Sequence, residues 1–510
     1  MAPAMNIGEG LPRNAQRFPK KLAVRDHAKS LTHLDLHLRT NRLGNYLLAH
    51  GVGPGDLVAF SCGSRSENFE LLFAIGKIGA VAVPFDFHWS AQECCAMIDF
   101  LEPKAFVVEA RQETRHLSGI LPERFEPSRT LAIDWPEAEW SYPYEEAIRS
   151  SVSGDPPIDV KGQDPFLIMT TSGTTGFPKA CLVNHETYVM RSLNNAIIKA
   201  MNPATRALLT LPLHFNAGRG AMVNALYLGA TVFIHEKFNE EHFLATVEEE
   251  KISYTMLVPN LCDRLLRSGL LDRFDTSSLA FVGITGGHLS ADSAQGIING
   301  LCSNLYEAYA STDCGQIAAL TSEDRASHGD TVGRPIWCAL LGILDDEGRE
   351  MPPGETGEIC VRSPLCIQGY YRNAEATKEF LAGGWCHSGD IGFIDTDGYL
   401  HVTGRKKIMI KSGGISIFPE EIEGILLRHP KFSEAAVVGF KSDVWGEAVK
   451  ALVVTKPGES LSAEELIRYC KESLASYKTP KVFLFVDALP RTGLGKIDRR
   501  KLVELGQTTA

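Results

Sequence analysis

The stretch Thr170-Thr171-Ser172-Gly173-Thr174-Thr175-Gly176-Phe177-Pro178-Lys179 follows directly on an apolar run, Pro165–Met169. Its glycines let the backbone curl so that successive N–H groups converge on an anion. The threonine and serine hydroxyls add donors, and Lys179 adds a compact positive charge suited to phosphate. The stretch therefore reads as a phosphate-gripping loop; the rival reading is a plain turn, which Gly/Ser/Thr loops often are. It is not a Walker A loop, because the G-x-x-x-x-G-K-[ST] spacing is absent.

The rest of the chain bounds what such a loop serves. At 510 residues it exceeds what one hydrophobic core usually holds, so two or more domains are expected. A hydrophobic content of 44% and a charged content of 22% are ordinary for a globular protein. The formal net charge of −11 argues against an electrostatic grip on nucleic acid. No signal-peptide pattern opens the chain and no apolar stretch is long enough to cross a bilayer, so a cytoplasmic enzyme without membrane insertion is expected. The twelve cysteines form no C-x-x-C pair and read as reduced thiols. His33 and His37 share a helical spacing, but Asp35 between them does not make a zincin pattern.

Periodicity predicts helices over Leu34–His50 and Asn68–Ile78. Apolar runs at Ala80–Pro84, Ala105–Val108, Phe166–Met169, Ala207–Leu211, Thr231–Ile234, Thr255–Val258 and Leu279–Ile284 predict buried strands. Helical stretches between several of them favour an α/β core. Gly348, Pro352-Pro353-Gly354 and Gly357 punctuate a turn-rich β-subdomain. From about Lys406 onward, strands (Ala435–Gly439, Ala451–Val454) alternate with helices (Glu420–Leu427, Ala463–Leu474), as in a small separate domain.

The phosphate-type loop is similar to that of the adenylate-forming superfamily: acyl-CoA synthetases, peptide-synthetase adenylation domains and firefly luciferase. Further elements resemble that family in the same order. Tyr309-Ala310-Ser311-Thr312-Asp313 stands where the family usually has Tyr-Gly-x-Thr-Glu, with Ala310 for glycine and Asp313 for glutamate. The resemblance implies that Tyr309 stacks on adenine, Thr312 bonds the α-phosphate, and Asp313, with Thr171, holds Mg²⁺. Thr285-Gly286-Gly287 corresponds to the adenine-facing turn. Ser388-Gly389-Asp390 resembles the element whose aspartate accepts from ribose hydroxyls; read alone it is a common turn. Gly404-Arg405-Lys406-Lys407 resembles the hinge, with Arg405 on the ribose, Lys407 as pivot and Lys406 as a solvated basic residue. Lys411-Ser412-Gly413-Gly414 resembles the loop that meets the pantetheine arm of coenzyme A. Pro490-Arg491-Thr492-Gly493-Leu494-Gly495-Lys496-Ile497-Asp498-Arg499 resembles the C-terminal element in which Lys496 bridges the acyl carboxylate and the α-phosphate. His214 matches the position gating the acyl pocket, and Arg219 nearby is expected at the surface or in an ion pair, with contact to a second carboxylate on the substrate as the alternative.

The resemblance spans Ser30 to Arg499. It implies an α/β fold with a large N-terminal region (two α/β sheets plus a β-subdomain, residues 1–404) and a small mobile C-terminal α+β domain, residues 405–510, hinged near 407. The expected activity is ATP-dependent carboxylic acid–CoA ligation through an acyl-adenylate, with ATP, Mg²⁺ and coenzyme A. Secondary readings are loading of a carrier protein and a non-catalytic nucleotide-binding relic. Phosphates fall to Thr171, Ser172, Gly173, Thr174, Thr175, Gly176 and Lys179. His214, Asn216, Gly218, Val258, Ile284, Glu307 and Ala308 are expected to line the acyl pocket. The acid and the oligomeric state, a homodimer included, stay open.

Overall fold

The short apolar runs become interior strands of two largely parallel sheets, where burial on both faces demands uninterrupted hydrophobic residues. The computed structural model describes residues 5–171, 179–412, 415–442, 446–474, 478–491 and 497–508. They form two compact units, one comprising the described residues up to 340 together with 362–386, the other 341–361 and 387 onward. The fold is α/β, and among the described residues no helix is long and apolar enough to cross a membrane.

The first unit holds a nine-stranded and an eight-stranded sheet. In the nine-stranded sheet, Leu305–Ser311, Phe281–Ile284, Tyr254–Leu257, Arg206–Leu209 and Thr231–Ile234 lie side by side and parallel. Arg206–Leu209 pairs with Thr231–Ile234 on one side and Tyr254–Leu257 on the other, so the strand order reverses there. Such a reversal opens a crevice at the carboxyl ends of the strands. The eight-stranded sheet is parallel through Val81–Pro84, Leu57–Ser61, Ala105–Glu109 and Thr130–Ile133, then closes with an antiparallel hairpin, Pro165–Thr171 against Lys179–Asn184. Thr171 pairs with Lys179, which brings together the two ends of the phosphate-type loop.

The second unit carries two sheets. One is four-stranded and includes Cys386–Ile394 paired antiparallel with Leu400–Arg405. The other is five-stranded, centred on Phe432–Ser442 and Gly446–Thr455. Alternation sorts its two faces: Ala435, Val437, Ala451 and Val453 join one core, Ala436, Val438 and Leu452 the other. The Pro419–Leu427 and Ala463–Ser473 helices supply the first core, and Leu502 of the Arg499–Thr508 helix the second.

The predicted helices shift by one residue, to His33–Ala49 and Glu67–Lys77. Thr32 caps the first through a reciprocal bond pair with Asp35. Every residue of Glu67–Lys77 is buried, so its charges need partners. Arg65 meets Glu67 through Nε (2.7 Å) and Nη2 (2.8 Å), and Nη1 reaches Glu109 (3.0 Å). Burial opposes ionisation of Glu67, but hydrogen bonds from Arg65 and the charge of Lys29 outweigh it and hold the carboxyl below its usual 4.5. Folded Glu67 therefore binds fewer protons than unfolded Glu67 around that value. Its stabilisation is complete above about pH 4.5 and is lost as pH falls through the folded value. Arg65→Met leaves Glu67 with Lys29 (2.8 Å) and Glu109 with Arg111 (3.4 Å) as their remaining cations, and is expected to cost about 1–3 kcal/mol in urea unfolding at pH 7, with a shallower loss of stability on acidification. An unchanged urea midpoint would show that the pair is not a stabilising element.

Candidate active site

The antiparallel strand Lys179–Asn184 places Lys179 and Cys181 on one face, because side chains alternate with a period of two. Tyr370 lies directly across from Cys181 in the neighbouring strand. The Tyr370 hydroxyl donates to Asp313 Oδ2 at 2.7 Å, and the Cys181 thiol donates to Asp313 Oδ1 at 2.9 Å. Lys179 Nζ sits 4.4 Å from the centre of the Tyr370 ring, a cation–π distance. Burial, then the Asp313 charge, pushes both the phenol and the thiol upward, so both remain protonated donors. Asp313 thus presents a carboxylate oriented by two neutral groups, which leaves its negative charge available to a hard cation such as Mg²⁺.

Thr312 and Asp313 occupy a tight turn between Leu305–Ser311 and Gly315–Thr321. Gly315 has φ +71°, and a Cβ there would meet Leu365 atoms at 2.9 Å, so the turn needs glycine. Arg191 fixes the turn from outside: its Nη2 donates to Thr312 O (3.2 Å) and Leu365 O (2.7 Å). Ile284 pairs with Glu307 on parallel strands, which puts Gly286-Gly287 and Tyr309 at the same sheet edge. Gly286 takes φ +83°, a left-handed conformation that turns the chain at the strand end.

His214 is buried in the segment between Arg206–Leu209 and Asn216–Tyr227, 3.7 Å from Asp86 and edge-on to Phe87. Burial holds it well below its usual pKa, and neither ring nitrogen has a hydrogen-bond partner among the described residues. It is a neutral packing surface at pH 7. Arg219 departs from the sequence expectation. It is 1% exposed and, rather than pairing with a carboxylate, donates from Nη1 to the carbonyls of Leu213 (3.2 Å) and His214 (3.1 Å). The Glu307 carboxylate is engaged by Arg325 (2.6 Å) and His288 (2.8 Å).

In the second unit, Asp390 and Arg405 are cross-strand partners, and Arg405 Nε meets Asp390 Oδ1 at 2.8 Å. Gly389, with φ +74°, lies inside a strand rather than in the expected turn. Lys406 bridges Glu358 and Asp346, each at 3.1 Å, and is not simply solvated. Lys411 pairs with Ser416 and Ser412 with Ile415 through their backbones, flanking Gly413-Gly414. Arg499 grips Glu423 with two bonds, 2.6 and 2.7 Å, while Asp498 N donates to Pro490 O at 2.8 Å. Ser172, Gly173, Thr174, Thr175, Gly176, Gly413, Gly414 and Lys496 lie outside the described residues, and Thr171 is placed by its backbone alone. The sequence offered no signal for Cys181, Tyr370 or Arg191, whose parts depend on strand register and helix placement.

This order of sites on two α/β units defines an adenylate-forming enzyme. The AMP-binding enzyme model matches residues 11–371 and the AMP-binding enzyme C-terminal domain model residues 421–496, so the chain belongs to that family. It is 33% identical to the indoleacetate–CoA ligase of Aromatoleum aromaticum, over 98% of each chain. It is 32% identical to the feruloyl-CoA synthase of an Amycolatopsis species, over 96% of this chain and 97% of the other. The structure of o-succinylbenzoate CoA synthetase from Bacillus subtilis, in complex with the acyl-adenylate intermediate OSB-AMP, superposes with a TM-score of 0.84 at 26% identity, covering 97% of each chain. Within the family the chain is an AMP-forming acyl-CoA synthetase, an acid–thiol ligase using ATP, Mg²⁺ and coenzyme A.

Tyr370→Phe keeps the ring under Lys179 but frees Asp313 Oδ2. It is expected to lower adenylation kcat/KM about tenfold, or about 1.4 kcal/mol, and to raise the Mg²⁺ concentration for half-maximal rate. Pyrophosphate exchange measured across a Mg²⁺ series reads both; an unaltered Mg²⁺ dependence would rule out this anchoring of Asp313.

Proposed function

We propose the following assignment of this chain's residues to the two half-reactions. In the first, a carboxylate oxygen of the acid bonds to the α-phosphorus of ATP, and the bond from that phosphorus to pyrophosphate breaks. The Thr171–Lys179 segment holds the β- and γ-phosphates, with Lys179 oriented by the Tyr370 ring. Asp313, with Thr171, holds Mg²⁺, which when bound offsets charge on the phosphates. Gly286, Gly287 and Tyr309 receive the adenine, Thr312 the α-phosphate, and Asp390 with Arg405 the ribose. Lys496 brings positive charge to the carboxylate and α-phosphate oxygens as charge builds there. His214, its side chain neutral and buried, bounds the acyl group.

In the second half-reaction the thiol sulfur of coenzyme A bonds to the acyl carbon and the bond to AMP breaks. Lys411, Gly413 and Gly414 pass the pantetheine arm close to backbone. Residues 405–510 turn about Lys407 against residues 1–404 between the two steps, exchanging Lys496 for the Lys411–Gly414 segment. We place the enzyme in the cytoplasm. The observation that carries the assignment is the Asp313 carboxylate, held by two neutral donors beside Lys179.

Lys496→Ala is expected to lower adenylation by roughly 10²–10³-fold, while thioester formation from supplied acyl-adenylate persists. Mass spectrometry of products from ATP, Mg²⁺, coenzyme A and a panel of acids reads both steps. Wild-type adenylation in the variant would remove Lys496 from the first step. Acyl-adenylate without thioester in the wild type would redirect the acceptor to a carrier protein.

A further inference from the structure

Beside the Thr312–Asp313 turn the first unit holds a partly open cavity of about 120 Å³. Its lining includes Arg191, Asn195, Lys199, Asn216, Met256 and Gln316, and no aspartate or glutamate contributes to it. This wall mixes apolar side chains with amides and carries two cations. Arg191 spends its donors on the carbonyls of Thr312 and Leu365. Lys199 is different. It is 8% exposed, has no carboxylate partner among the described residues, and its ammonium donates to the Tyr254 hydroxyl at 3.4 Å.

A buried ammonium without a counter-ion is costly, and proteins retain one where it meets a ligand or does chemistry. Burial pulls Lys199 down to about 8, which leaves it mainly protonated at neutral pH. Its position caps the carboxyl end of the His185–Ile198 helix, whose dipole favours the cation and fixes its place. Around it, Asn195 and Asn216 make no side-chain hydrogen bond within the described residues, while Gln316 is held by Tyr306 (2.5 Å) and Asn194 (3.1 Å). The cavity thus offers one unpaired positive charge with free amide groups beside it.

We propose that Lys199 is a second-anion subsite, selecting carboxylic acids that carry another negatively charged group away from the reacting carboxylate. This rests on the ligase reading above and specifies its substrate class. Arg191 touches the Thr312 carbonyl, and Lys199 follows eight residues later on the same helix, about 12 Å along its axis. Allowing for the reach of the two side chains, that offset sets the two acidic groups roughly 6–12 Å apart. Medium-length α,ω-diacids and aryl acids with a para carboxylate meet that span.

The test pairs adipate, pimelate, suberate and terephthalate with their uncharged isosteres hexanoate, heptanoate, octanoate and 4-methylbenzoate. Wild-type, Lys199→Met and Lys199→Arg enzymes are compared by pyrophosphate exchange. The wild type is expected to favour the charged member of at least one pair about tenfold or more in kcat/KM, Lys199→Met to abolish that preference, and Lys199→Arg to keep it. A wild-type preference for the uncharged member of every pair overturns the proposal, as does a preference that Lys199→Met leaves intact. Should Lys199→Met fail to fold, the wild-type ratios alone decide. If none of these acids supports exchange, calorimetric binding of the same pairs without ATP decides the subsite by the same ratios, and the broader acid panel given above tests the ligase reading separately.

Discussion

The pleat of one short strand governs the catalytic region of the first unit. Lys179–Asn184 runs antiparallel at the end of an otherwise parallel sheet, and its alternation sends Lys179 and Cys181 to the same side. Tyr370, paired across from Cys181, then stands under the lysine and beside Asp313. A slip of one residue would turn all of these side chains to the other face, separating the phosphate-type loop from the carboxylate. The antiparallel closure is therefore more than a sheet edge. It ties the ends of a loop near residue 175 to a turn near residue 313 and a short strand at residue 370.

Charge is distributed around this region unevenly. Carboxylates near buried arginines are consumed by local pairs: Glu67 and Glu109 by Arg65, Glu307 by Arg325 and His288. Arg191, Lys199 and Arg219, by contrast, face carbonyls or a hydroxyl. Backbone carbonyls compensate a cation only partly, so the surplus field at the cavity is positive even though the whole chain carries −11. The sign of the molecule and the sign of its cavity are independent quantities.

Much of the fold could be read from the chain because buried parallel strands and capped helices advertise themselves locally. Thr231–Ile234 matches its predicted bounds, and Leu34–His50 misses by one residue because Thr32 caps the helix. Leu22–Arg25 escaped notice because it is short and acquires its place from Thr231–Ile234, some two hundred residues away. The motif residues were legible as types, but their neighbours were not. Spacing brought Asp390 and Arg405 to attention, and only strand register shows them as a pair. Nothing local in the sequence marks Lys199, because the groups around it come from other elements. Arg219 went astray for the same reason: the groups it meets are set by packing.

The backbone around residues 490–499 has a thermodynamic consequence. Arg491 bridges to Ile497, Asp498 donates to Pro490, and Arg499 is clamped on Glu423, so both ends of the 492–496 interval are fixed to the second unit. The entropy cost of ordering Arg491 and residues 497–499 is therefore met once, during folding of the second unit, by contacts more than fifty residues apart in the chain.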